Sequence, residues 1–234
     1  MKHLVIGLGE IGSALQKVFE ADGHDPMRNR FAARPTCDML HIAFPYSETF
    51  VEEVKKYQAQ FQPKYTVIHS TVPLGTTKQI DNAVHSPVRG KHPRLYESLL
   101  VFVKFVGGPK AQEVADEFMK MNMSVRITEN SADTEAMKLW DTAQYGWFIL
   151  LEKAIYEYCE EHGLDFNVVY KEANETYNDG YAYLALPGLP GLPKFTRPVL
   201  EHYPGKIGGH CVIANCHLLE SEVAKEILEK NDEL

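Results

Sequence analysis

The 234 residues carry 24 lysines and arginines against 32 aspartates and glutamates, a formal net charge of -8, with 44% hydrophobic and 24% charged residues. Such a balance suits a globular chain with a sizeable core, long enough for one main unit and a smaller partner domain, and it argues against a nucleic-acid surface. No apolar run reaches bilayer-spanning length, and the 4 cysteines lack the paired spacing of a disulfide framework or zinc site.

The chain passes from Met1-Lys2-His3 straight into Leu4-Val5-Ile6 and glycines, a start without signal-peptide layout that gives a cytoplasmic expectation. Residues 3–6 read as a strand, after which Ala14, Leu15, Val18 and Phe19 recur at helical spacing until Gly23 stops the pattern. A second strand is counted through residues 24–30. Residues 39–44 read as a buried strand ending at Pro45, and residues 47–61 as a helix capped by Ser47, with Phe50, Val51, Val54 and Tyr57 on one face. Strands over 65–69, 101–106 and 124–127 and a helix over 111–121 continue the alternation. The pattern predicts an α/β fold: residues 1–129 form a Rossmann-type, mostly parallel sheet covered on both faces.

From residue 130 onward, Ala136, Leu139, Trp140, Ala143, Trp147, Leu150, Leu151, Ala154, Ile155 and Tyr158 keep helical period, predicting a long helix ended by Gly163. A helix over 166–178 and a charged amphipathic helix over 220–230 complete a smaller, all-helical C-terminal domain, residues 130–234. Residues 186–193 repeat Pro-Gly-Leu, and proline there denies both helix and ladder hydrogen bonds, so an irregular loop is expected. The long helix has more apolar surface than one small domain covers, which predicts a homodimer packed through helical domains.

Gly7-Leu8-Gly9-Glu10-Ile11-Gly12 follows a strand and opens a helix, the context in which a glycine triplet cradles a dinucleotide pyrophosphate. Gly7 permits the tight turn, Gly9 lets the backbone reach the phosphates, and Gly12 allows close packing of helix on strand. The first-turn N–H groups and the helix dipole supply the attraction. Phe44-Pro45 and Ser70-Thr71, which follow neighbouring strands, are expected to line the cofactor. NAD or NADP remains open: no acid is found at the end of the second strand as counted, and Arg28 or Arg30 would suit a 2′-phosphate or be simply solvated.

Further candidates are a basic cluster of His85, Arg89, Lys91, His92 and Arg94, suited to an anionic substrate or to solvent. His210, Cys211, Cys216 and His217 do not match zinc spacing, and no metal is expected. Lys138 stands one turn before Thr142 on the long helix, where a lysine stabilises charge on a reacting oxygen or merely faces water.

Together with the glycine turn, Ser70-Thr71-Val72-Pro73-Leu74-Gly75-Thr76-Thr77, Ser86-Pro87, Gly107-Gly108 and Lys206-Ile207-Gly208-Gly209-His210-Cys211 resemble the UDP-glucose/GDP-mannose (nucleotide-sugar) dehydrogenase family, in order and over nearly all of the chain. The resemblance implies a Rossmann domain and a central helical domain, a nicotinamide cofactor, and oxidation of a sugar alcohol. It places the family's cysteine nucleophile on Cys211, its oxyanion lysine on Lys138 and its strand-end threonine on Thr71. A second Rossmann-like domain, which in the family contributes much of the nucleotide-sugar site, is not expected within these residues. Thr142 stands for the family asparagine, Asn215 for its aspartate and Val88 for its glutamate, and each exchange removes proton-transfer chemistry. Without its partner carboxylate, Cys211 is expected to be a buried, inert thiol. His92-Pro93 resembles prephenate dehydrogenases; there, or in a 3-hydroxyacid dehydrogenase, Lys138 would serve and Cys211 stand idle. A dinucleotide-binding protein without catalysis is the rival reading.

Overall fold

Strand β1 (His3–Ile6) is buried along its whole length. Its side chains divide between two cores, because successive residues of a strand point to opposite faces. The computed structural model describes residues 1–185 and 195–234, and the predicted loop over 186–193 lies outside the described residues. With β2 (Asp22–His24), β3 (Met39–Ile42), β4 (Tyr65–Ile68), β5 (Ala83–His85), β6 (Lys104–Gly107) and β7 (Val125–Thr128), β1 forms a seven-stranded sheet in the order β2-β1-β3-β4-β5-β6-β7. All neighbours run parallel except β5 and β6, which pair antiparallel at His85 and Gly107.

On one face, Leu15 and Phe19 of α1 (Glu10–Phe19), Leu99 of α3 (Leu95–Val101) and Phe118 of α4 (Ala111–Lys120) cover Val5, Met39, Val67, Val84 and Val106. On the other, Phe50, Val54 and Phe61 of α2 (Phe50–Phe61) cover Leu4, Ile6, Leu40, Ile42 and Ile68. Burying each such side chain contributes ~1.5–3 kcal/mol, which is why central strands tolerate little polarity.

Several elements depart from the sequence expectation. Gly23 does not end α1: Glu20 does so in a left-handed conformation (φ 48), and Gly23 sits inside β2, where a Cβ would meet Gln16 Nε2 at 2.7 Å. The second strand therefore spans 22–24, not 24–30. Ser47 is not the cap of α2; its hydroxyl pairs with Thr49 Oγ1, and Thr49 is the N-cap. The strand read over 101–106 begins at Lys104, because buried Leu95, Ser98 and Leu99, at helical spacing, make α3 of the segment that reaches Val101. Strand β5 and the short α7 (Val212–Cys216) carry too few residues for periodicity to reveal them.

The chain divides into two compact units within α5 (Ser131–His162), Met1–Leu139 and Trp140–Leu234. The start of α5 belongs to the first unit because Thr134 Oγ1 bonds His85 Nδ1 (2.9 Å) and the Glu135 carboxylate accepts from the Gly75 and Thr77 amides. The second unit holds the rest of α5, ended at Gly163 (φ 64), a π-helical turn Asn167–Glu172 continuing into α6 (Ala173–Leu184), α7, and α8 (Glu222–Glu233) capped by Ser221. Its core is Ala143, Leu150, Ile207, Val212, Cys216, Ala224 and Ile227, and its described residues contain no strand. Gly146 is required there, since a Cβ would meet Val212 Cγ1 at 2.7 Å. No described helix is long and apolar enough to cross a membrane.

Candidate functional site

The turn between β1 and α1 is built from backbone. Gly7 has φ +85, and an added Cβ would stand 3.0 Å from the Phe44 nitrogen. At Gly12 a Cβ would fall 1.7 Å from Gly7 O, so helix and turn close only on glycine. Gly9 differs: a Cβ there meets nothing within 4 Å. As the N-cap of α1 it offers no side-chain cap, which leaves the first-turn amides of Glu10 and Ile11 turned toward open space at the positive end of the helix dipole. A pyrophosphate fits against these amides, whereas a side chain at residue 9 would stand in its way.

Leu8 is buried, with its amide bonded to Asp25 Oδ2 at 2.8 Å. Asp25 follows β2 directly, the position from which an acid reaches an adenine ribose. Counting strand two through residue 30 hid it; the cue was the 18-residue step from Gly7, close to the usual spacing. Arg28 ends a short 3-10 turn over Pro26–Arg28, exposed, with Nε 3.4 Å from Asp25 Oδ2. Arg30, also exposed, bridges backbone to backbone with Asp25.

Phe44-Pro45 leaves β3 and Ser70-Thr71 leaves β4 at the same edge as the turn, and Ser70 Oγ ties the two exits by donating to Phe44 O at 2.6 Å. Thr71 is half-buried beside it. Glu135, which sequence reasoning missed, holds the following loop through the Gly75 amide at 2.6 Å and the Thr77 amide at 2.8 Å.

Lys138 lies half-buried on α5, one turn past Thr134, and its charge bears on buried His85 and Lys104. His85 is no part of a basic surface cluster. It is fully buried between Thr134 Oγ1 and Ser70 O, and burial, only partly offset by that carbonyl, brings its pKa down to about 3. Of the rest of that cluster, Lys91, His92 and Arg94 are exposed, Arg89 lies over the Phe105 ring, and His92 Nδ1 contacts the Glu10 carboxylate. Val88 packs into the core beside Leu95 and Leu99, so hydrocarbon fills the position where the resemblance expects a glutamate.

In the second unit Cys211 is the N-cap of α7 and is exposed, contrary to the expected buried thiol; Cys216, one turn on, is the buried one. A short helix explains this, because residues five apart point to different sides. Thr142 on α5 and Asn215 on α7 are both buried and bonded to each other. No cluster of three metal-ligating side chains occurs among the described residues.

No family model and no curated protein sequence matches this chain. Solved structures share its fold. UDP-D-ManNAc dehydrogenase from Pyrococcus horikoshii superposes with TM-score 0.76 at 18% identity, over 100% of this chain and 68% of its own. The 3-hydroxyisobutyrate dehydrogenase of Mycobacterium tuberculosis gives 0.67 at 12% identity, over 99% of this chain and 92% of its own. Psf3 in complex with NADP+ gives 0.58 at 13% identity, over 99% and 93%. The chain thus shares its fold with a UDP-sugar dehydrogenase and a 3-hydroxyisobutyrate dehydrogenase.

Proposed function

We propose that the chain is an NAD(P)-dependent oxidoreductase that moves hydride between the nicotinamide and the carbinol or carbonyl carbon of a small, anionic substrate. The observation that carries this reading is the empty space over Gly9 at an uncapped helix N-terminus, framed by two glycines that tolerate no side chain. Two neighbours of like fold, named for dehydrogenase activities, and a third solved with NADP+ support it. The nicotinamide, when bound, supplies or accepts the hydride.

The chain's own residues bind, orient and hold charge. The amides of residues 9–11 take the pyrophosphate, and Asp25, with Arg28 beside it, reads the adenine ribose. Phe44, Pro45, Ser70 and Thr71 border the cofactor. Lys138 stabilises negative charge on the reacting substrate oxygen, and exposed Cys211 is available as a nucleophile toward an aldehyde. A cytoplasmic homodimer packed through the helical unit completes the reading.

A binding protein without turnover is the second reading, favoured by Val88 in the core and by the mutual engagement of Thr142 and Asn215 where the family carries acid and amide. Calorimetry with oxidised and reduced nicotinamide nucleotides, followed by single-turnover reduction with a panel of sugar nucleotides and hydroxyacids, separates the two. Binding with no hydride exchange across the panel establishes the second, and absence of any nucleotide binding removes both.

A further inference from the structure

A row of buried polar groups that no step above employs crosses the α1/α4 face of the sheet. His3 opens β1, His41 sits on β3, His69 follows β4, and Lys104 opens β6. The register pairs Val5 with His41 and His41 with Val67, so each imidazole stands two residues further along than the last, in a diagonal row. Phe19 and Phe118 cover it, with the His41 ring 4.6 Å from Phe19 and the His69 ring 6.2 Å from Phe118. Lys104 Nζ lies 3.2 Å from His69 Nδ1, His69 Nε2 2.9 Å from His41 Nδ1, His41 Nε2 3.0 Å from His3 Nδ1, and His3 Nε2 3.1 Å from Glu117 Oε1. All five side chains are buried.

The hydrogen bonds have one self-consistent direction. Lys104 Nζ meets three acceptors, Ser86 O at 2.6 Å, Pro87 O at 2.9 Å and His69 Nδ1, matching the three protons of an ammonium. His69 Nδ1 then accepts, so its Nε2 carries hydrogen and donates to His41, which for the same reason donates to His3, which donates to Glu117. The Glu117 carboxylate also receives Lys120 Nζ at 2.6 Å and the Met1 amino group at 3.1 Å.

We propose that Lys104, His69, His41, His3 and Glu117 form a proton relay between the sheet edge that bears the glycine turn and Lys138 and the opposite edge, where Lys120 meets solvent. Antiparallel pairing of β6 with β5 sets Lys104 beside Ser86 and Pro87, just past the end of β5, while His3 is the first residue of β1. In one passage Lys104 gives a proton to His69 Nδ1, and each imidazole passes its Nε2 proton to the Nδ1 of the next. His3 gives its Nε2 proton to Glu117. Every imidazole stays neutral and ends as the other tautomer, Lys104 ends as an amine and Glu117 as an acid. The bulk then takes the Glu117 proton, and the three imidazoles tautomerise back to Nε2–H before Lys104, recharged from the site side, donates again.

Both end states are accommodated: once His69 Nδ1 carries hydrogen, it finds Ser86 O at 2.8 Å. Burial, with His3 and Lys104 near His41 and with Lys104, His41 and His85 near His69, holds these imidazoles well below the ordinary histidine value and hence neutral. Burial, reinforced by Lys138, lowers the Lys104 ammonium from the usual lysine range, making it a readier donor. Use of the relay in turnover rests on the oxidoreductase reading, in which each alcohol oxidised releases a proton; its existence does not.

Nitrogen-15 NMR of the histidine side chains in the full chain tests the relay directly. The expected result is that His3, His41 and His69 are all neutral Nε2–H tautomers, with couplings across the His3–His41 and His41–His69 bonds. In Lys104→Met, His69 Nδ1 faces only Ser86 O and must take the proton. All three rings are then expected to carry Nδ1–H, with the extra proton held on the His3–Glu117 pair at the opposite edge of the sheet. Mixed or cationic tautomers in the unaltered protein overturn the relay, and so does a folded Lys104→Met whose His3 carries no hydrogen on Nδ1. If that variant does not fold, the tautomers of the unaltered protein decide. Failure of hydride exchange would strike the oxidoreductase reading alone, since the tautomers are read without substrate.

Discussion

Asn215 Nδ2 donates to Thr142 Oγ1 across 3.1 Å, joining α7 to α5 inside the helical unit. The two positions at which the resemblance expects aspartate and asparagine thus hold a neutral, hydrogen-bonded pair. A buried amide deprived of its acceptor costs about 1–3 kcal/mol. Thr142→Val is expected to destabilise the protein by about that much in urea unfolding, and Thr142→Val with Asn215→Leu to be milder than the two changes summed. Strict additivity would show that the pair does not interact.

Gly9 and Gly12 separate binding from folding. Gly9→Ala adds a methyl to open space at ordinary backbone angles (φ -67), so thermal stability should be unchanged while NAD(H) and NADP(H) affinity falls about tenfold or more, each 1.4 kcal/mol being a factor of ten. Gly12→Ala should damage both, since its methyl collides with Gly7 O. Undiminished nucleotide binding by Gly9→Ala would place the cofactor elsewhere.

Asp25 and Arg28 pull cofactor choice in opposite directions, a carboxylate favouring a ribose diol and a guanidinium a 2′-phosphate. Asp25 is anchored by the Leu8 amide, while the Arg28 head is 63% exposed, so NADH is expected to bind more tightly than NADPH. Asp25→Asn should narrow or reverse that ratio in calorimetry. A ratio that Asp25→Asn leaves unchanged would remove Asp25 from the ribose site.

Acid should weaken the fold well before ordinary acid denaturation. Burial holds His41 and His69 neutral, and His85 titrates only at about 3. The unfolded chain binds protons at these positions below its ordinary value of 6.5, so their contribution is intact above that pH and is lost as pH falls toward the folded values, at up to ~1.4 kcal/mol per pH unit for each histidine. For Glu117, burial opposes ionisation, but hydrogen bonds from Lys120, the amino terminus and His3 outweigh it and bring the pKa down to about 2. Its contribution is present above 4.5 and lost between there and about 2. The urea midpoint should drop steeply between pH 7 and pH 5; a flat profile there would mean that these imidazoles are charged in the folded state.

Of the four thiols only Cys211 is exposed. One cysteine per chain should react quickly with a thiol reagent and four after denaturation. Cys211→Ser should abolish that fast phase and, if the thiol is the nucleophile, aldehyde oxidation with it. Undiminished turnover by Cys211→Ser would exclude a thioester route.

The amino-acid order by itself was enough for the glycine turn, the parallel sheet and the long helix, because each rests on local signals: glycines between an apolar run and a helical period, and one apolar face kept from Ala136 to Tyr158. Short elements such as β5 escaped it, since three residues carry no period, and Gly23 misled it, since a glycine that makes room for Gln16 looks like one that ends a helix. Tertiary structure alone decided that Asp25 meets the Leu8 amide, that His85 is buried while Cys211 is not, and that three histidines 38 and 28 positions apart share one hydrogen-bonded line. Burial and partnership depend on which strands become neighbours, and that is settled by packing the whole sheet rather than by any stretch of it.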